Sequence, residues 1–456
     1  MSKTFCILPW RHIQTKPDGQ MKPCCRFDIK NPEYKTEDGY KFDRFNVDKL
    51  SFTDAVNSPE WQDIRDTILA GERVPGCRKC YQEEDFQFAA NAKNEKRKIR
   101  SLRHKENWDW NEDVQDKIYE DDSTKLRYLE LAFGNHCNLK CRTCNGSLST
   151  TWYDDDNLLS SYYKDRKLHD TAVNVDNNWN VEDFRYAEKI KFTGGEPMLH
   201  PNFIKTIDMI ISTGRQHLIT LDIFTNASWV PKDKIFDRLK QFKKVHINLS
   251  IDGLGPVNEY IRYPSEWSVV DESVREWLRI EAETTEDNEK GKIFKYIVKW
   301  VPCISVYNVW HFHKMMDWWL DLQTTYKQKN WWHSHSIRHS QIINIIHDPE
   351  YLKPSLYPKR LLLTSKLIEH RDSLINDMKS KVDVFEKQWV SELHMNDLYN
   401  KVLGSLNEKH DSEQLKIFVE YTADLDKIRG QDVRENLPHL WKRIEGMVEY
   451  KGRING

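Results

Sequence analysis

Leu126 to Gly146 reads LRYLELAFGNHCNLKCRTCNG. Its first eight residues, Leu126–Phe133, are a strand-like apolar run. A glycine stops that run, and Cys137, Cys141 and Cys144 follow on one short loop. Outward from this stretch, further strand-like runs are Lys189–Thr193, Leu218–Thr225, Val245–Ile251, Phe294–Val301 and Gln341–Ile346. Helix-length segments separate them: Pro201–Thr213, Lys232–Lys243, Val269–Ala282 and Trp310–Thr324. Strands alternating with helices predict βαβ units and an α/β fold with a parallel sheet or barrel. Six strands fall short of a full eight-strand barrel. After Pro354 the pattern turns helical, most clearly over Arg360–Lys381 and Glu413–Arg429.

The loop Cys137-x3-Cys141-x2-Cys144 carries the strongest chemical signal. Three thiolates on one loop can hold three irons of a [4Fe–4S] cube and leave the fourth iron open. A zinc site is the competing reading, with His136 nearby as a fourth ligand. Thr193-Gly194-Gly195-Glu196-Pro197 follows the second strand. There two glycines allow close backbone approach and a carboxylate can accept from an ammonium group. Motifs at the ends of successive strands are neighbours at one barrel mouth. A third cluster lies upstream: Cys6-x12-Gly19-x4-Cys24-Cys25, then Cys77-x2-Cys80. Four thiolates from two segments would fully ligate a metal centre, either zinc or an Fe–S cluster.

The rest of the chain narrows the class. The sequence has 456 residues, 69 Lys+Arg against 71 Asp+Glu, and a net charge of −2. That balance provides no whole-chain pull toward nucleic acid or anionic membrane. No apolar run reaches the ~18 residues of a membrane span, and MSKTFCILPW lacks the marks of a signal peptide. The expectation is a soluble cytoplasmic protein. Its nine cysteines are odd in number and tightly clustered, which favours metal or redox chemistry over a disulfide framework. Ser58-Pro59 starts a helix that Gly71 ends. The run Lys93, Lys96, Arg97, Lys98, Arg100, Arg103, Lys105 reads as a solvated helix face. His333, His335, Ile337 and His339 read as barrel rim, and Trp318-Trp319 and Trp331-Trp332 as packing. Cys303 reads as a small buried apolar residue, and Asp154, Asp155 and Asp156 as a solvated loop. The expected organisation is a Cys-bearing unit over 1–85, a helical connector over 86–125, the barrel over 126–350 and a helical extension over 351–456.

Together the Cys loop and the Gly-Gly-Glu-Pro turn, in this order and at strand ends, resemble the radical S-adenosylmethionine (SAM) superfamily. The resemblance covers residues 126 to about 345 and implies a partial (β/α)6 barrel. It makes Cys137, Cys141 and Cys144 the ligands of a catalytic [4Fe–4S] cluster whose open iron binds SAM. Gly194, Gly195, Glu196 and Pro197 would meet the amino end of SAM. Asn226, Ser250, Asp252 and Arg262 would be further contacts, Arg262 to the carboxylate. One departure is Thr143, where many members carry an aromatic residue. Residues 1–85 resemble the SPASM/twitch module, implying a second, auxiliary [4Fe–4S] cluster on Cys6, Cys24, Cys77 and Cys80. Cys25 would be a spare, able to replace Cys24. That module usually follows the barrel, whereas here it precedes it, an arrangement in keeping with a bacterial-virus source.

The resemblance implies reductive cleavage of SAM to a 5′-deoxyadenosyl radical that abstracts hydrogen from a substrate. An electron donor such as flavodoxin or ferredoxin would serve it. The additions on both sides of the barrel point to a peptide or protein substrate, with a nucleotide, sugar or RNA as the alternative. The C-terminal helices are expected to be a recruiting surface separable from the barrel. The reading from another class is a non-catalytic, zinc-stabilised binding protein.

Overall fold

The computed structural model describes residues 4–89, 125–162, 179–229, 234–288, 291–327, 341–381, 385–447 and 449–454. Most of the 86–125 connector lies outside them, as do its basic run, the His333–His339 group and Trp331-Trp332. The chain divides into two compact units. One comprises Met1–His136, Ala172–Asp222 and Gln241–Lys243; the other comprises Cys137–Thr171, Ile223–Lys240 and Lys244–Gly456.

In the first unit, β1 (His12–Thr15) and β2 (Met21–Lys22) form an antiparallel hairpin. Gly19 turns it with φ +79°, and a Cβ there would sit 2.7 Å from Asn46 Oδ1. This explains the glycine between Cys6 and Cys24 by backbone geometry. Helix α1 (Pro59–Leu69) starts where Ser58 Oγ accepts from Trp61 N, and it buries Trp61, Ile64 and Ile68. β3 (Tyr128–Ala132) runs parallel to β4 (Lys189–Thr193) on one side and to β1 on the other. The N-terminal residues therefore extend the parallel sheet, a connection the sequence pattern did not predict. Alternation sorts the faces. Leu129, Leu131, Ile190 and Phe192 are buried, and α2 (Asn202–Ser212) lays Phe203 against Phe192 and Phe133, with centroids at 5.3 and 6.1 Å. The opposite face is polar: Glu130 accepts from Lys191 at 2.9 Å and from Gln14 at 3.1 Å.

Strand β5 (Thr220–Thr225) begins in the first unit and ends in the second. It starts two residues later than predicted because Gln216–Leu218 coils into a 3-10 turn. In the second unit, helix α3 (Lys234–Leu239) is shorter than its apolar pattern suggests. β6 (Lys244–Leu249) lies beside the end of β5, with Ser250 N donating to Thr225 O at 2.9 Å. α4 (Trp267–Glu283) then covers the sheet with Val270, Val274, Trp277 and Leu278. β7 (Tyr296–Trp300) pairs parallel to β6. β8 (Cys303–Ile304), α5 (Phe312–Lys327) and β9 (Asn344–Ile345) follow, β8 and β9 being parallel. Trp319 is fully buried in this core and Trp318 is half-buried. This is the α/β pattern of a partial barrel, with helices crossing between parallel strands. Beyond it lie α6 (Arg360–Lys381), α7 (Phe385–Leu406) and α8 (Ser412–Arg429). No helix among the described residues is long and apolar enough to cross a membrane.

Candidate active site

In the second unit, the Cys loop is held by its own backbone. Lys140 N and Arg142 N donate to Tyr263 O and Ile261 O, each at 2.7 Å, and Cys144 N donates to Cys141 O at 2.9 Å. Leu139 N–H points at Cys137 Sγ from 3.5 Å. Asn226, from the end of β5, donates to Asn138 Oδ1 at 2.8 Å, with its Nδ2 4.0 Å from Cys137 Sγ. The residue read as a SAM contact therefore stands against the loop itself.

Burial pushes the Cys141 thiol up, and Arg262 acts in the opposite sense. Burial, followed by the nearby Cys141 and Cys137, also pushes the Cys144 thiol up. Two thiols so placed resist ionising together unless a cation shares the loop. N–H donors aimed at Cys137 suit a thiolate ligand. The donor set thus fits an iron–sulfur cluster. Among the described residues, no three His, Cys, Asp or Glu side chains are arranged to hold a bare metal ion.

Arg262 and Asp252 form a buried pair, Nη1 to Oδ2 at 2.7 Å. The other oxygen of Asp252 accepts from Cys303 N at 2.7 Å. Asp252 is thus committed inside the protein and orients Arg262. Cys303, expected to be buried and apolar, is half-buried, and burial and Asp252 push its thiol up to about 12. Ser250 is half-buried at the end of β6. Asp154–Asp156 are not a solvated loop: they open the short helix Tyr153–Leu158, where Asp155 and Asp156 are each 1% exposed. Asp155 accepts from Lys140 at 2.8 Å, and Asp156 from Gly146 N at 2.6 Å. Each carboxylate fastens the Cys loop, which accounts for its burial.

The first unit holds the Gly-Gly-Glu-Pro turn. Gly194 has φ +117°, and a Cβ on Gly195 would lie 2.0 Å from His136 O. Gly195 N donates to Gly134 O at 3.3 Å and Glu196 N to His136 O at 2.8 Å. The glycines are required by backbone packing against residues 134–136, directly before Cys137. Glu196 is buried, and Pro197 starts the turn Pro197–Leu199. His200, which sequence reasoning passed over, stacks on Phe133 at 5.4 Å. Burial, and then His136, lowers its pKa to about 4.

The N-terminal cysteines belong to the same unit. Burial, then Cys25, Cys6 and Cys80, pushes the Cys24 thiol up, so these four share a neighbourhood. Cys77 ends the turn Pro75–Cys77, which runs directly into the helix Arg78–Ala89 that carries Cys80. Cys6, Cys24, Cys77 and Cys80 are half-buried, and Cys25 is exposed.

Residues 131–284 match the radical SAM superfamily. Residues 6–81 match an iron–sulfur cluster-binding domain, SPASM, which precedes the radical SAM match along the chain. The two matches imply [4Fe–4S] clusters as its cofactors. An uncharacterized protein of Methanocaldococcus jannaschii is 30% identical over 138 residues, covering 30% of this chain and 42% of that one. A GTP 3′,8-cyclase of a Sulfurovum species is 30% identical over 129 residues, covering 28% and 35%. The chain thus spans less than half the length of these relatives. Among solved structures, anSMEcpe with bound AdoMet and Cp18Cys peptide aligns with a TM-score of 0.35 at 17% identity, covering 56% of this chain and 61% of that one. Streptococcus suis SuiB bound to S-adenosylmethionine aligns at 0.27 and 14%, covering 46% and 41%.

Proposed function

We propose that this protein cleaves SAM reductively and uses the radical to abstract hydrogen from a peptide or protein. The observation that carries the reading is the loop of Cys137, Cys141 and Cys144 after β3, within the stretch that matches the superfamily. When bound, a [4Fe–4S] cluster with SAM on its open iron supplies a 5′-deoxyadenosyl radical. The chain's own residues hold and orient. Three thiolates ligate, Leu139 N–H and the Asn226 amide face Cys137, and the Gly194–Glu196 turn fixes the backbone leading into the loop. Arg262, held by Asp252, presents a guanidinium suited to the SAM carboxylate. Cys6, Cys24, Cys77 and Cys80 would hold the auxiliary cluster, which would relay an electron or anchor substrate. A flavodoxin or ferredoxin would supply the reducing electron in the cytoplasm.

A polypeptide substrate is supported by the additions flanking the barrel, since an extended surface suits a chain better than a metabolite. A nucleotide is the second reading, favoured by the GTP 3′,8-cyclases among the sequence relatives. Anaerobic incubation with SAM, dithionite and either host peptides or GTP separates them. The polypeptide reading expects 5′-deoxyadenosine plus a mass change or deuterium exchange in a peptide. Turnover of GTP with no altered peptide would overturn it.

Iron content tests the two-cluster assignment. Reconstituted protein should hold about eight irons per chain, and a Cys137/Cys141/Cys144→Ala triple variant about four. Zinc in place of the remaining iron would remove the auxiliary cluster from the reading.

A further inference from the structure

The loop that carries Cys137, Cys141 and Cys144 is gripped by a helix far downstream. Arg142 stands between Cys141 and Cys144 in sequence, and its side chain is fully buried. Its Nε donates to Tyr260 O at 3.0 Å, and its guanidinium lies 3.7 Å from the Tyr260 ring centroid. Nη2 donates to the carboxylate of Asp426, on α8, and to Gln431 Oε1 at 2.9 Å. Asp426 is 2% exposed. It also accepts from Tyr260 Oη at 2.8 Å, Val433 N at 2.6 Å and Tyr450 Oη at 2.5 Å. Near the end of the same helix, Arg429 donates Nε to Asp155 at 2.8 Å, the carboxylate that also holds Lys140. Its guanidinium covers the Trp152 ring at 4.5 Å, and Trp152 Nε1 donates to Cys141 O at 3.1 Å. Helix α8 thus reaches three successive loop residues, Lys140, Cys141 and Arg142. Through these bonds α8 packs against the Cys loop instead of standing apart from it.

We propose that Asp426 and Arg429 are positioning residues for the cluster loop: α8 holds the loop's shape and sets the charge beside its sulfurs. The reduction potential of a cluster held there then depends on residues that touch neither the cluster nor SAM. The inference rests on the reading that these three cysteines hold a cluster. Its physical basis is the high cost of leaving a buried charge without its partner. Neutralising Asp426 leaves Arg142 uncompensated, and excess positive charge favours the reduced, more negative cluster. Neutralising Arg429 removes positive charge near Cys141 and favours the oxidised form.

The test uses the full-length reconstituted protein with D426N, R429M and R429K. Electron paramagnetic resonance during redox titration reports the potential of the barrel cluster, and iron content and thermal melting are measured beside it. The expected result is a potential shifted up in D426N, shifted down in R429M and near wild type in R429K, with iron retained. Shifts of the same sign in D426N and R429M, or unchanged potentials, would reduce α8 to ordinary packing and overturn the proposal. If D426N does not fold, R429M and its rescue by R429K decide alone. Iron content unchanged by Cys141→Ala would instead defeat the cluster assignment, so the two failures are distinguishable.

Discussion

Cys141→Ala should abolish 5′-deoxyadenosine formation and remove about half of the iron, roughly four atoms per chain. The loss is chemical and not structural. Cys141 is held by its backbone, through Trp152 Nε1 to its carbonyl at 3.1 Å and Cys144 N to the same oxygen at 2.9 Å, and alanine keeps both bonds. What disappears is one of three thiolates, and two cannot retain a cube with a single open iron. Far-ultraviolet circular dichroism should match wild type. SAM cleavage at the wild-type rate would remove the loop from the mechanism altogether. Cys303→Ala is the matched control: Cys303 touches Asp252 through its backbone N–H, which alanine also supplies, so iron content should stay unchanged.

Gly195→Ala should be strongly damaging. The new Cβ would sit 2.0 Å from His136 O and 2.9 Å from Asn135 C, both backbone atoms with no rotamer to escape into. The turn must move, and Glu196 N then loses His136 O, its partner at 2.8 Å. Overpacking of this kind costs about 3 kcal/mol in denaturant titrations. His136 is bonded to Cys137, so the displacement passes directly to the first ligand. A shift of about 1 Å there lowers the rate of SAM cleavage on the order of 10²-fold. Wild-type stability and rate in this variant would show that the backbone approach is not a constraint.

The sequence alone determined the α/β alternation, because period-2 and period-3.6 apolar patterns are local properties of the chain. Lys189–Thr193 and Arg360–Lys381 appear with the predicted bounds. Ser58 caps its helix for the same local reason, and the spacing Cys137-x3-Cys141-x2-Cys144 is legible within eight residues. The roles of single charged residues were decided only by the tertiary structure. Asp155 looked solvated in its run of three acids, yet it is buried because Lys140 and Arg429 converge on it. Asp252 accepts from Arg262 and from Cys303 N, partners 10 and 51 residues away along the chain. Asp426 bears no signal in a helix of ordinary composition, and its partner Arg142 lies 284 residues away. A pattern read along the chain sees neighbours within a few turns. Burial of a charge depends on partners brought together by folding, and those pairings exist only in three dimensions.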